Sequence, residues 1–583
     1  GRKENNPLPS KEDNWIIRDL MNINDEKLFS LETKIEEVRR RKLADYKQKD
    51  FSYIDTDNNL DKLKIYNNNI IEARRGCGKT SIILKALEET KELSVQCDCQ
   101  IYRNKEKDIV VLDILRELVV GVKESIQTEE TLEFVSEYEN KTKGFLGFLR
   151  KKFKKISPEE IRKYENIDCF LEWVNEIESI IKKTKELPAE YKWQLTRKNS
   201  ASKKIVERNS EKRKNENSIS GTGRVALKYK DLSMQINCTT SLLDEMLSEY
   251  LNEKNSVNEM FQQEEHVQSI TRVGKVDELK GIIIDFLKAY KEQYKRGIII
   301  YLDDFYQINK ESHPYIIQYL HDLYKLTPSN TFCFKVVTLP SSLKINYDNE
   351  VTFSIKDDFS SIYLDYDLSN LDKVQDHLID ILIALEPKLQ LRKNDIESLF
   401  TNDDALKFLV IATGGIPRDF MTSFCEAIRV SRRLQRDRIG KDQIYEVIKN
   451  LKSDKDNNIE IDSELSMDKI ENAIEIINRE IIGSMKTNVI LYPIDKAEQH
   501  EVILKNLINL RYLHLIKSKM TSEKTKQECR AYLVDMTFYA CSRIPSSFDF
   551  CRFWEKDNAS RLNNLRRAPI WSFSDECVEK IMN

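Results

Sequence analysis

The eleven cysteines of this sequence contain no C-x-x-C pair and no regular spacing. Neither a metal ribbon nor a disulfide framework is therefore indicated, and a reduced, intracellular protein is expected. Cys97 and Cys99 stand two apart in VQCDCQIY with no histidine nearby, which reads as two core residues on one strand face. None of the six histidines falls in an H-E-x-x-H pattern, and His321 and His514 read as structural. No apolar run approaches the ~18 residues of a membrane span. The opening stretch GRKENNPLPSKEDNW has no apolar signal core, so the expectation is a cytoplasmic chain without a transmembrane segment. An excess of one charge is missing as well. With 94 basic and 97 acidic residues the net charge is −3, so any nucleic-acid surface has to be a local patch. There is no internal repeat.

What is present is length and a changing pattern. The 583 residues allow three or four domains with several cores. Residues 1–60 read as an N-terminal helical segment. Over 61–140 short apolar strands alternate with amphipathic helices, the signature of a parallel sheet with crossover helices. Residues 141–275 break that alternation with basic and polar tracts, and 276–370 restore it. The stretch between is therefore an insertion into one α/β core. Residues 371–455 are helical. In 465–540 two or three helices precede a pair of strands, LHLIKSKM and ECRAYLVDM, which is the order of a winged helix. A C-terminal extension, 541–583, follows.

Two motifs carry chemistry. Residues 73–80, Ala-Arg-Arg-Gly-Cys-Gly-Lys-Thr, lie between a strand and a helix and match the phosphate-loop pattern G-x-x-x-x-G-K-[ST], with Ala73 in place of the first glycine. Arg75, Gly76, Cys77, Gly78 and Ser81 belong to the cradle, whose backbone N–H groups and helix N-terminus suit a polyphosphate. Lys79 would neutralise the β/γ oxygens and the Thr80 hydroxyl would hold Mg²⁺, so ATP with Mg²⁺ is the expected ligand. The second motif is GIIIYLDDF, an apolar strand ending in two carboxylates at the sheet edge where α/β folds bind ligands. Asp303 would hold Mg²⁺ and Asp304 would orient or deprotonate the attacking water.

Taken together, ARRGCGKT, IIIYLDD, the next strand ending at Thr338 and the helical GGIPRDF resemble AAA+ ATPases, most nearly the origin-recognition initiators and the STAND signalling ATPases. The resemblance covers about 60–140 and 276–540. It implies an AAA+-like P-loop core with a helical lid at 371–455, Thr338 as sensor 1 and Arg418 as sensor 2. It also implies homo-oligomers or a heteromeric complex. One departure is that no arginine occurs between Arg296 and Arg392, the stretch from which oligomeric relatives supply an arginine finger. Lys335 or Lys344 could substitute only as point charges. The weight shifts from a fast motor to a slow nucleotide-controlled switch.

Two readings of its target stay open. One is double-stranded DNA, met by a winged helix whose helix QHEVILKNLINLR offers Lys505 and Arg511. Its hairpin turn gathers Lys517, Lys519, Lys524 and Lys526, with Arg561, Arg566 and Arg567 later in the chain. Basic residues Arg197 to Lys214 either track phosphates or form a solvated loop. The Phe145–Lys155 stretch either packs on its own domain or meets an anionic membrane. The other reading is a STAND-like scaffold that senses a protein or phage trigger and recruits an effector protein in antiviral defence. No nuclease, protease or TIR-like signature is present, so effector chemistry would come from a partner.

Overall fold

The computed structural model describes residues 21–39, 53–55, 57–142, 156–194, 229–255, 267–347, 354–456, 465–541, 544, 546–555 and 561–582. In chain order its strands are β1 (Asn69–Glu72), β2 (Leu93–Asp98), β3 (Glu190–Gln194), β4 (Val267–Thr271), β5 (Ile298–Asp303), β6 (Phe332–Thr338), β7 (Ser360–Tyr363), β8 (Val489–Pro493), β9 (Leu513–Thr521) and β10 (Glu528–Val534). The chain divides into two compact units. One holds Asp57–Leu364, and the other holds Asp365–Asn583 together with the N-terminal helix Glu26–Arg39. No helix among the described residues is long and apolar enough to cross a membrane.

The first unit is an α/β fold on a five-stranded parallel sheet of order β2-β5-β6-β1-β7. β5 (IIIYLD) and β6 (FCFKVVT) are buried at every residue. A parallel sheet covered by helices on both faces requires such continuous apolar runs in its middle strands. β2, at an edge, alternates buried and half-buried residues instead. The helices Lys79–Glu89, Lys107–Ile126, Arg272–Tyr294 and His313–Leu326 supply the crossovers.

Between β2 and β5 lie two long helices, Pro158–Glu186 and Lys230–Asn255, and the antiparallel pair β3–β4. The first helix starts sharply. Ser157 accepts from the Glu160 N–H while the Glu160 carboxylate accepts from the Ser157 N–H, with Pro158 at the first helical position. Phe170, Trp173 and Ile177 of this helix, and Leu243 and Met246 of the second, join the same apolar cluster as Ile298, Ile300 and Phe334 of the sheet. This part of the 141–275 region is thus a helical layer built onto the sheet. The basic runs 145–155 and 197–214 lie outside the described residues.

The second unit is a helical array that leads into an antiparallel sheet, all sharing one apolar cluster. Its helices are Leu371–Leu385, Asp403–Ala412, Pro417–Arg433 and Lys441–Asp456, with Glu26–Arg39 against them through Arg432–Glu32 (2.6 Å) and Arg429–Glu36 (3.2 Å). Helix Met467–Ile477 runs on into a π-helical segment, Asn478–Met485. Then come β8, the helices Ile494–Gln499 and Glu501–Asn509, β9 and β10, the sheet having the order β8-β10-β9. β8 is a strand that the sequence reading did not foresee. Its outer edge is covered where Leu491 exchanges backbone hydrogen bonds with Pro569 and Trp571, which protects an otherwise open row of donors and acceptors.

Lys335, offered above as a substitute finger, has structural work instead. It is fully buried in β6, and its ammonium donates to the carbonyls of Ile65 (2.8 Å) and Asn67 (2.6 Å) and to Asn69 Oδ1 (2.6 Å). Burial pushes its pKa down, and the three acceptors hold the loop that leads into β1. Lys335→Met would orphan them, and a loss of about 2–4 kcal/mol is expected. Urea unfolding of the first unit should show a lower midpoint. An unchanged midpoint would mean that the loop is held by other means.

Candidate functional site

At the C-terminal edge of the parallel sheet β1 ends at Glu72, and Ala73 N–H still donates to Thr338 C=O (3.3 Å) before the chain leaves the sheet. Gly76 and Gly78 take φ of 91° and 85°, a left-handed backbone that glycine reaches without a Cβ penalty. The loop is closed by Cys77 N–H on Arg74 C=O (3.3 Å), and the helix starts at Lys79. Lys79 is buried, its ammonium donating to the carbonyls of Ala73 (3.1 Å) and Arg74 (3.3 Å). Cys77 is buried within the loop, while Arg75, Thr80 and Ser81 are half-buried around it.

The Thr80 hydroxyl donates to Asp303 Oδ2 at 3.0 Å, joining residues 223 positions apart. Asp303 is only 4 % exposed, and its other oxygen accepts from the Asp304 N–H (3.0 Å). Burial, and then the like charge of Asp304, push its pKa up to about 7, against the Thr80 hydrogen bond and the Lys79 charge. Asp304 sits at φ 51°, a conformation Asp adopts more readily than most residues but still at some cost. Its Oδ2 accepts from the Gln100 side-chain amide at 2.7 Å. Gln100 lies in the short 3₁₀ turn Cys99–Tyr102 that follows β2, and the β2–β5 register sets Asp98 beside Asp303. Thr338, at the end of β6, is fully buried, and its hydroxyl has no hydrogen-bond partner among the described residues. A hydroxyl left so costs about 1–3 kcal/mol.

These residues fit a magnesium nucleotide on their own chemistry. The two left-handed glycines open a backbone cradle ahead of a helix N-terminus. Thr80 and Asp303 are hard oxygen donors, suited to Mg²⁺. Among the described residues no cluster of three or more His, Cys, Asp or Glu is arranged for a metal ion, here or elsewhere.

Of the residues named from sequence, the phosphate-loop set, Asp303, Asp304 and Thr338 gather at this sheet edge. Gln100 was missed because VQCDCQIY reads as one strand. The strand in fact stops at Asp98, and the turn aims Gln100 at Asp304. Cys97 and Cys99 are both buried, and burial pushes both thiols up, so they are neutral core residues. Lys344 is paired with Glu311 (2.7 Å) and, like Lys335, is committed elsewhere. Arg418 lies in the first turn of helix Pro417–Arg433, in the other unit. The helix Glu501–Asn509 corrects another expectation. Lys505 is buried, and Arg511 Nη1 donates to Asp419 (2.7 Å to each oxygen), so neither cation lines an open recognition face. In the β9–β10 hairpin Lys524 and Lys526 are exposed, Lys519 is exposed and paired with Glu528 (2.9 Å), and Lys517 is half-buried.

No family model matches the chain, and no curated protein does. Among solved structures it is similar to Cdc6p from Pyrobaculum aerophilum at 10 % identity and a TM-score of 0.30, over 85 % of this chain and 97 % of that one. It is similar to a Walker-type ATPase of Pyrococcus abyssi at 11 % identity and a TM-score of 0.34, over 85 % of this chain and 98 % of that one. A RuvB of Thermotoga maritima gives 14 % identity and a TM-score of 0.22, over 43 % and 71 %. Likeness this faint carries no argument, and the functional reading rests on the site itself.

The Asp303 shift gives a pH dependence. Its folded pKa lies above the ~3.9 of an unfolded aspartate, so the buried carboxylate weakens the fold increasingly as pH rises from about 4 through 7. In metal- and nucleotide-free protein, Asp303→Asn is expected to raise Tm by several degrees at pH 8 and much less at pH 5. Thermal melts in EDTA at both pH values check this. An equal gain at each would remove the carboxylate's charge as the cause.

Proposed function

We propose that this chain is a P-loop ATPase of the AAA+ kind, binding ATP with Mg²⁺ at the edge of β1, β5 and β6 and hydrolysing it slowly. The observation that carries the reading is the Thr80–Asp303 hydrogen bond at 3.0 Å, set beside a loop with two left-handed glycines. Lys79 and the loop amides would hold the phosphates, and Thr80 with Asp303 would hold Mg²⁺, whose charge would offset phosphate charge. Asp304 would accept a proton from the attacking water. Two features support a low rate. The sequence has no arginine between Arg296 and Arg392, and the lysines closest in role, Lys335 and Lys344, are engaged elsewhere. The Gln100 amide also occupies one Asp304 oxygen.

As its target we infer double-stranded DNA, met through the second unit. The order helix, β8, two helices, β9, β10 supports a winged-helix reading of 465–540. With Lys505 and Arg511 committed internally, the contact would fall to Lys517, Lys519, Lys524 and Lys526 at the hairpin. The competing reading, a STAND-like scaffold that oligomerises and recruits an effector protein, predicts nucleotide retention indifferent to DNA.

Steady-state hydrolysis with and without duplex DNA tests both. Lys79→Ala is expected to abolish ATP retention. Asp304→Asn should keep binding and cut turnover by about 10²–10⁴-fold, the usual worth of a general base. Lys524→Glu with Lys526→Glu should remove only the DNA response. ATP held as tightly by Lys79→Ala as by the parent would displace the site altogether. A second measurement addresses the Gln100 contact: Gln100→Ala should raise basal turnover several-fold at unchanged ATP affinity, because it frees the Asp304 carboxylate. A fall in turnover would make Gln100 an aligning residue instead.

A further inference from the structure

The second unit contains a connected set of polar contacts that links its helical array to its sheet. It starts at the turn Gly414–Gly415–Ile416–Pro417–Arg418–Asp419. Both glycines have positive φ (59° and 69°), and a Cβ at position 414 would collide with the His514 ring, so the turn is seated directly on β9. At its other end both Asp419 oxygens accept from Nη1 of Arg511, which lies between helix Glu501–Asn509 and β9. Arg511 is itself in a left-handed conformation (φ 66°), and its carbonyl accepts from Lys455 (3.1 Å), at the end of helix Lys441–Asp456. Lys455 also bonds Asp535 Oδ2 (2.5 Å), just past β10. His514 Nε2 donates to that same oxygen (2.7 Å), which brings the chain of contacts back to Gly414. Asp535 Oδ1 is taken by the Thr537 N–H (3.0 Å) and hydroxyl (2.5 Å). Lys455, His514 and Asp535 are essentially inaccessible to water.

Such a ring behaves differently from a set of surface ion pairs. Lys455, His514 and Asp535 sit in a low dielectric with the Asp535 oxygens both engaged, so shifting one of them leaves another buried and unsatisfied. The members therefore keep their arrangement or lose it together. At Arg511–Asp419 a single guanidinium nitrogen, Nη1, lies 2.7 Å from both carboxylate oxygens, a short charge-assisted contact. We propose that this ring makes the Gly414–Asp419 turn and the β8–β10 sheet one mechanical element, so that a displacement imposed on either is delivered to the other. The turn carries Arg418, and the sheet carries the exposed β9–β10 hairpin. Any ligand that engages the hairpin thus acts on the turn, and by linkage the reverse holds. The coupling is a property of the second unit and stands whether or not the chain hydrolyses ATP.

Hydrogen exchange on the full chain, read by mass spectrometry at residues 413–419 and 513–521, tests it. Arg511→Lys keeps the charge and replaces the guanidinium with an ammonium on a different stem. Asp419→Asn keeps the shape and loses the charge. Each is expected to raise exchange about tenfold in both segments, because local opening of one must open the other. The double variant should open them no further than either single change. Exchange in helix Lys79–Glu89 of the other unit should not move. Should Asp419→Asn prove too unstable to purify, Asp419→Glu with Arg511→Lys gives the same readout. Exchange that rises only in the segment that was mutated, or effects that simply add, would overturn the proposal.

Discussion

Asp303 comes within hydrogen-bond reach of Thr80 only because β6 separates β1 from β5 and all three strands run parallel. Their C-terminal ends therefore finish side by side, and the helix that leaves β1 starts over that edge. Much follows from this placement. The Asp303 carboxylate is buried with a like charge next to it and only a partial offset from Lys79, hence its pKa near neutrality. At the end of the strand between them Thr338 carries a buried hydroxyl with no protein partner among the described residues. Asp304 occupies a left-handed conformation. Each feature costs stability, and three together at one edge of a well-packed sheet are a pattern expected where chemistry is served.

The long connection from β2 to β5 could have pulled this edge apart, and its anchoring explains why it does not. Arg272, at the junction of β4 and the following helix, donates to Asp108 (2.5 Å) and to the Leu187 carbonyl (3.0 Å), which ties the return of the chain to the start of helix Lys107–Ile126. That helix follows directly on the turn that bears Gln100. The apolar cluster runs without a break from Val95 through Phe170 and Ile177 to Ile300, so the added helices strengthen the scaffold under β2. The Gln100–Asp304 contact, 204 residues apart in sequence, follows from the β2–β5 register that sets Asp98 beside Asp303.

How much of this was legible depends on whether a residue's role follows from its neighbours in sequence. The glycine-rich loop between β1 and its helix was readable because glycine spacing, Lys79 and Thr80 act locally. The acidic pair was readable because IIIYLDD is an apolar run with charges at one end. Gln100 was not, since nothing in CDCQIY distinguishes a strand that continues from one that stops at Asp98 and turns. Nor was β8: VILYP after a π-helical segment resembles a helix end as much as a strand, and its pairing with β10 is a tertiary fact. Lys335 and Arg511 were misjudged for the same reason. A cation in sequence carries no sign of whether it faces water or a ring of carbonyls and carboxylates.

That misjudgement bears on how the second unit could engage a polyanion. Sequence-specific reading of a duplex needs donors on an element that enters a groove, and helix Glu501–Asn509 has none to give. Lys505 is buried, and Arg511 just beyond the helix is locked on Asp419. What stays outward is the hairpin, where Lys524 and Lys526 flank a turn and Lys519 already shares its charge with Glu528. Three or four lysines neutralise about as many phosphates, so log K would fall with log salt at a slope of roughly −3. Binding of that kind is weak and tracks the backbone. Its value would be positional rather than informational, and a hairpin joined through His514 and Asp535 to the turn at Gly414 is suited to passing on position.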